Sequence, residues 1–145
     1  MSAALREAEK AAEEGEVPVG AVVVGPEGQI LARAHNRMVS GNDPTAHAEI
    51  LALRRAAKKI SNYRLKGCRL VVTLEPCTMC AGAAVHARVE EIVFGAIDPK
   101  AGAVHSLFRI ASDERLNHKA IVIPGVLGKE CAALLTAFFR PRRKS

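Results

Sequence analysis

The feature that most constrains this chain is Pro76-Cys77-Thr78-Met79-Cys80, a pair of thiols separated by two residues. Before it, Val71-Val72-Thr73-Leu74 reads as a short buried strand, and after it residues 81–87, rich in alanine, read as a small-residue helix. Pro76 suits the first helical turn, where a missing N–H costs nothing, so both sulfurs are expected at a helix N-terminus. There the free backbone N–H groups and the positive end of the helix dipole favour thiolate over thiol, and the thiolate is the form that binds metal. Cys77 and Cys80, at i and i+3, also share one helix face. A strand leading into a helix that begins on two metal-competent sulfurs is half of a metal site.

Two sulfurs do not fill a tetrahedral shell, and Cys-x-x-Cys has other uses. A thioredoxin-like redox pair would follow the first strand of a small domain, and a zinc finger would need a second ligand pair at finger spacing. Neither pattern is present. Cys68 and Cys131 stand singly in apolar surroundings and read as small buried hydrophobes.

The rest of the chain supplies a scaffold. Its 145 residues suit one domain, 1–145, with a basic C-terminal helix or tail over 128–145. Hydrophobic residues make up 49% of the sequence, yet no apolar run approaches the roughly 20 residues of a membrane span. Residues 5–14 form a charged amphipathic helix without the apolar core of a signal peptide, which points to the cytoplasm, as do four cysteines without a disulfide framework. Residues 17–24 and 30–37, joined by the turn Gly25-Pro26-Glu27-Gly28, predict an antiparallel hairpin.

A further helix is expected to start near Pro44, capped by Asp43 or Thr45, with Ile50, Leu53, Ala57 and Ile60 on its apolar face. His47 and Glu49 lie in its opening turns, on either flank of that face, so both can reach one semi-buried pocket. Taken alone, His47 reads as a structural histidine. A capping box would place an acid three residues after the cap, at Ala46 or Ala48, so capping does not explain Glu49. One His and two Cys give three protein ligands, the count of a catalytic zinc site with its fourth position left for water. Zinc brings the pKa of such a water towards neutrality, and a neighbouring carboxylate, here Glu49, can carry its proton.

His47-Ala48-Glu49, followed after 26 residues by Pro76-Cys77-Thr78-Met79-Cys80, resembles the signature of the zinc-dependent cytidine/adenosine deaminase superfamily. Glu16-Val17-Pro18-Val19-Gly20, His35-Asn36-Arg37, residues 43–50, Asn62-Tyr63-Arg64-Leu65, Phe94-Gly95-Ala96 and residues 130–135 resemble the bacterial tRNA-editing adenosine deaminases within it. The resemblance implies a three-layer α/β/α, cytidine-deaminase-like fold around a five-stranded mixed sheet, whose strands are the hairpin and residues 70–74, 92–96 and 120–123. It also implies a homodimer that converts the wobble adenosine of a tRNA anticodon stem-loop to inosine. One zinc ion per chain would be held by His47, Cys77 and Cys80, with its hydroxide attacking purine C6 while Glu49 carries protons to the ring nitrogen and the departing ammonia. By the same resemblance Val17, Asn36, Ala48 and Leu74 would contact or wall the base. Lys100 and Ser106, with Asp98, would sit in a loop near the RNA backbone.

Charge agrees with a polyanionic partner. The net charge is +6, and Arg140, Arg142, Arg143 and Lys144 crowd the last six residues behind Phe138 and Phe139. Phe139 or its neighbour is a candidate for stacking a splayed base while the other packs into the core, with the arginines on phosphates. Two other readings stay open at this level. One is a related enzyme acting on a free base or nucleoside, such as guanine or cytidine. The other is a zinc-stabilised RNA-binding module in which Glu49 is dispensable.

Overall fold

A computed structural model describes residues 1–143. In chain order these form α1 (Ser2–Glu13), β1 (Gly20–Val24), β2 (Ile30–His35), α2 (Met38–Gly41), α3 (Ala48–Ile60), β3 (Arg69–Leu74), α4 (Thr78–Ala87), β4 (Glu91–Ala96), a 3-10 turn (Ile110–Ser112), β5 (Ile121–Ile123) and α5 (Gly128–Arg143). The strands make one sheet in the order β2-β1-β3-β4-β5. The β2–β1 and β1–β3 pairs are antiparallel; β3–β4 and β4–β5 are parallel, so the five-stranded mixed sheet is as expected.

Alternation along the strands decides which helices cover which face. Ala21, Val23, Leu70, Val72, Ile92 and Phe94 point to one side, where they pack with Ala48, Ala52, Leu53 and Ala56 of α3 and with Ala81 and Ala84 of α4. Val22, Val71 and Val93 lie in register across three strands and point to the other side, against Ala3 and Ala4 of α1. Helix α5 shares that second side, lying over Gly95, where Cys131 occupies the space a side chain would need. Gly20 is required for a similar reason, since a Cβ there would overlap the carbonyl of Ala4 in α1. The result is the three-layer α/β/α arrangement.

Several boundaries differ from the sequence expectation. Strand β1 starts at Gly20 rather than Val17, because Val17 and Val19 close a tight turn (Val19 N–H to Val17 O, 2.8 Å) around a proline that has no donor. Helix α3 is capped by His47, not by Asp43 or Thr45. The Asp43 carboxylate is instead used locally, accepting from the Thr45 N–H at 2.8 Å and hydroxyl at 2.7 Å, which makes residues 43–45 a side-chain-closed turn. Likewise α4 is capped by Cys77, and Pro76 lies one residue ahead of the cap. The short α2 has no signature in the sequence; its Val39 and Ser40 N–H groups donate at 3.1 and 2.7 Å to the carboxylate of fully buried Glu16.

Candidate active site

The start of α3 faces the start of α4, which brings their capping residues together. His47 and Cys77 are the two N-caps, both in extended backbone conformation, and Cys80 is the third residue of α4. His47 Nδ1 lies 3.7 Å from Cys77 Sγ and 3.6 Å from Cys80 Sγ. All three donor atoms fall within 4.8 Å of one another. A tetrahedral zinc ion with bonds of about 2.0 Å to nitrogen and 2.3 Å to sulfur sets N and S about 3.6 Å apart, so the donor set fits that ion in type and spacing.

The electrostatics suit the same purpose. The S–H of Cys80 donates to Cys77, and this, with His47 alongside and against the effect of burial, holds the Cys77 thiol down to about 3. The same bond, burial and the nearby Glu49 carboxylate push the Cys80 thiol far up. His47 is raised chiefly by its hydrogen bond with Cys77. Glu49 is 4% exposed, and burial raises its pKa above the usual carboxylate range. A carboxyl that holds its proton more tightly than a surface acid, set beside three metal donors, is suited to general acid/base work.

His47, Glu49 and Cys77 open into a pocket of about 180 Å³, whose other lining residues are Val17, Val19, Asn36, Met38, Leu74, Glu75, Asp98 and Ala101; Cys80 lies buried behind them. Val17, Asn36 and Leu74 are therefore in the wall of this pocket. Ala48 is not: it is fully buried, and its N–H donates to Asn36 Oδ1 at 2.8 Å. Asn36 in turn donates from Nδ2 to the Val17 carbonyl at 3.0 Å, so one amide ties the strand entrance to the start of α3.

The loop after β4 is organised by a residue that the sequence does not single out. Glu75, 2% exposed, accepts from the backbone N–H groups of Asp98 (3.0 Å), Val104 (3.4 Å), His105 (2.9 Å) and Ser106 (2.8 Å), and from the Ser106 hydroxyl (2.5 Å). Ser106, expected near RNA, has its hydroxyl engaged within the protein. Gly102 leaves room for this carboxylate, since a Cβ there would collide with it. The signal available in the sequence is an acid between the strand end Leu74 and Pro76, with no surface helix or turn to serve.

Lys100 is exposed, its N–H held by Asp98 Oδ1 at 3.1 Å. A wider groove of about 540 Å³ joins the pocket through Val17, Leu74 and Asp98, and runs along α5 past Pro99 and Leu135 to Phe139. Phe139 is thus at the groove, 37% exposed. Neither phenylalanine packs into the core, because Phe138 is covered by its own helix: the Arg142 guanidinium lies 3.5 Å over its ring and donates to its carbonyl at 2.7 Å. Arg140 is exposed; the Arg143 side chain and Lys144 lie outside the described residues.

With this geometry in place, comparison with known proteins is specific. Residues 1–96 match the cytidine and deoxycytidylate deaminase zinc-binding region, a segment that contains His47, Glu49, Cys77 and Cys80. Over 144 residues the chain is 52% identical to the tRNA-specific adenosine deaminase of Bacillus subtilis (strain 168), covering 99% of this chain and 89% of that protein. The chain belongs to the tRNA-specific adenosine deaminase family. A structure from studies of A-to-I editing by tRNA:A34 deaminases superposes with a TM-score of 0.88 at 46% identity, over 92% of this chain and 96% of that one. A guanine deaminase from Nitrosomonas europaea shares the fold at a TM-score of 0.83 but only 26% identity, over 94% and 81% of the two chains. The cytidine-deaminase-like fold expected from the sequence is therefore the one observed.

Proposed function

We propose that this chain hydrolyses the C6 amino group of the wobble adenosine in a tRNA anticodon, giving inosine and ammonia, with one zinc ion per chain. His47, Cys77 and Cys80 would hold the ion. Bound there, zinc supplies the Lewis acidity that makes water a nucleophile near neutral pH. Glu49 takes the proton that this water gives up, delivers it to the purine ring, and then moves a proton to the departing amine. The observation that carries this reading is buried Glu49, its pKa raised, in one pocket with His47 and Cys77 of the His/Cys/Cys donor set.

The pocket is smaller than the about 300 Å³ at which drug-sized sites begin, and matches a single base better than a larger ligand. Val17 and Leu74 wall the base, Asn36 fixes the wall and offers its amide edge, and Ala48 serves by holding Asn36. The adjoining groove would take the flanking nucleotides, with Phe139 for stacking and exposed Lys100 and Arg140 for phosphates, joined by Arg143 and by Arg142 where it leaves Phe138. Ser106 would act indirectly, by fixing the loop through Glu75. A homodimer is supported by Leu107 and Phe108, adjacent and 54% and 53% exposed, which a second copy would cover. Among the described residues no helix is long and apolar enough to cross a membrane, in keeping with work in the cytoplasm on tRNA.

The test is Glu49→Gln, nearly isosteric and unable to carry protons. Zinc content should equal that of the parent, while inosine formation falls by about 10⁴ or more, at or above the top of the usual range for one acid/base group. Retention of over a tenth of the activity would overturn the role of Glu49 and favour a non-catalytic RNA-binding module.

A further inference from the structure

We propose a second ligand site, for a phosphate group, at the end of the sheet remote from the metal donors. The parallel strands enter the sheet there, and the segments just before β3, β4 and β5 converge on a cavity of about 380 Å³. Arg64, Lys66, Arg88, His118 and Lys119 line it, with Glu90 as the one carboxylate. With the histidine neutral the lining carries four positive charges against one negative, drawn from three stretches distant in sequence, and Glu114 just outside it stands 3.9 Å from Lys119. It shares no residue with the metal pocket, which opens at the strand exits; a six-residue strand separates the two by about 20 Å.

The cavity has a fixed floor. Leu65 N–H donates to Ala87 O at 2.6 Å, Glu90 N–H to Cys68 O at 2.9 Å, and Ile121 N–H to Glu90 O at 2.9 Å, so the three segments are tied by backbone. His118 is anchored by donating from Nε2 to the Val89 carbonyl at 2.7 Å, which fixes its ring in the cavity wall. Arg88 caps α4 in the left-handed region, at φ 62°, a conformation that a side chain rarely adopts. Arg64 is steadied against the exposed ring of Tyr63, with its Cζ 5.5 Å from the ring centre. Like charges gathered in a concavity repel one another and cost stability, and an anion with several acceptor oxygens relieves that cost. Two guanidinium forks and two ammonium groups suit phosphate, which accepts from several donors at once.

The phosphate can come from a free nucleotide or from the backbone of the tRNA beyond the anticodon arm; the second source rests on the tRNA reading above. Lys66→Glu combined with Lys119→Glu alters two exposed side chains outside the metal pocket. Zinc content should stay that of the parent, and the thermal midpoint should be no lower, since the change relieves like-charge repulsion. In the free-ligand arm, pyrophosphate and adenosine monophosphate are titrated into the zinc-loaded parent while the His118 ring signals are followed by NMR. A saturable shift that weakens at least tenfold in the double variant supports a free phosphate ligand. In the RNA arm, binding of intact tRNA and of a bare anticodon stem-loop is measured across a salt series. Flattening of the tRNA slope by about 1.4 to 1.8, the change expected when two phosphates are no longer neutralised, with the stem-loop slope unchanged, supports the RNA backbone. No saturable shift together with identical tRNA slopes overturns the site. Failure of the parent itself to form inosine in that tRNA would count against the tRNA reading alone, since the pyrophosphate titration does not depend on it.

Discussion

Replacing Glu75 by Gln should loosen the loop that closes one side of the pocket. In the parent one oxygen accepts from Asp98 N–H and the Ser106 hydroxyl, and the other from the N–H groups of residues 104 to 106. A glutamine amide must point its NH₂ at one of these sets. The less costly choice is the first, because the hydroxyl can rotate to accept, but it leaves the Asp98 N–H without a partner. An orphaned buried donor costs about 1–3 kcal/mol, and the bonds that remain lose their charge assistance, giving a total of about 2–4 kcal/mol. For a chain of this size that lowers the thermal midpoint by about 10 °C. Because Asp98 and Ala101 line the pocket, a small displacement of the loop should also cost about 10- to 100-fold in kcat/KM. The pH dependence has a definite sign. Burial alone would raise the pKa of Glu75, but the Ser106 hydroxyl and the N–H groups of Asp98, Ser106 and His105 hold it below its ordinary value. Its contribution is therefore fully present at neutral pH, starts to fall as the pH drops below about 4.5 and is lost below the lower folded-state pKa, so the gap between parent and variant should narrow as the pH falls from there. Melting curves of zinc-loaded protein at pH 7.5 and at pH 4, with inosine formation measured alongside, make the comparison. Equal midpoints and equal activity at pH 7.5 would refute the assignment of Glu75 as the loop's organiser.

Cys77→Ala or Cys80→Ala should abolish stoichiometric zinc, whereas Cys68→Ala and Cys131→Ala should retain it; full zinc in Cys80→Ala by elemental analysis would contradict the ligand set. Ending the chain after Phe139 removes Arg140, Arg142, Arg143 and Lys144 and should leave zinc in place. The slope of log affinity against log salt for an anticodon stem-loop should flatten by about 0.7 to 0.9 for each phosphate that the shortened chain no longer grips. Identical slopes would mean that these residues do not touch RNA, and that Arg142 serves only to cover Phe138.

The metal donors and Glu49 are legible in the sequence because their spacing is local: His47 and Glu49 open one helix, and Cys77 and Cys80 open another. The strands are legible as hydrophobic runs. What escapes is set by contacts remote in sequence or by side chains with two local uses. Helix α3 starts later than the sequence predicts because Asp43 looks like a helix cap, whereas its carboxylate closes a turn with Thr45. Glu75 gives no periodic signal, since the N–H groups it gathers lie 23 to 31 residues away. Asn36 bridges Val17 and Ala48, 19 and 12 residues distant, so its structural duty is visible only in the fold. One of Phe138 and Phe139 reads as a core residue by its apolar character, but Phe139 is exposed and a charged neighbour on its own helix covers Phe138.

The most direct test is to incubate the zinc-loaded protein with a tRNA carrying adenosine at the first anticodon position, and to read that position by sequencing or nucleoside analysis. Free adenosine and guanine are offered in parallel at matched concentration. Inosine at the wobble position, with the other adenosines and both free substrates unchanged, is the predicted result. An anticodon that stays adenosine while free guanine or adenosine is deaminated would contradict the account.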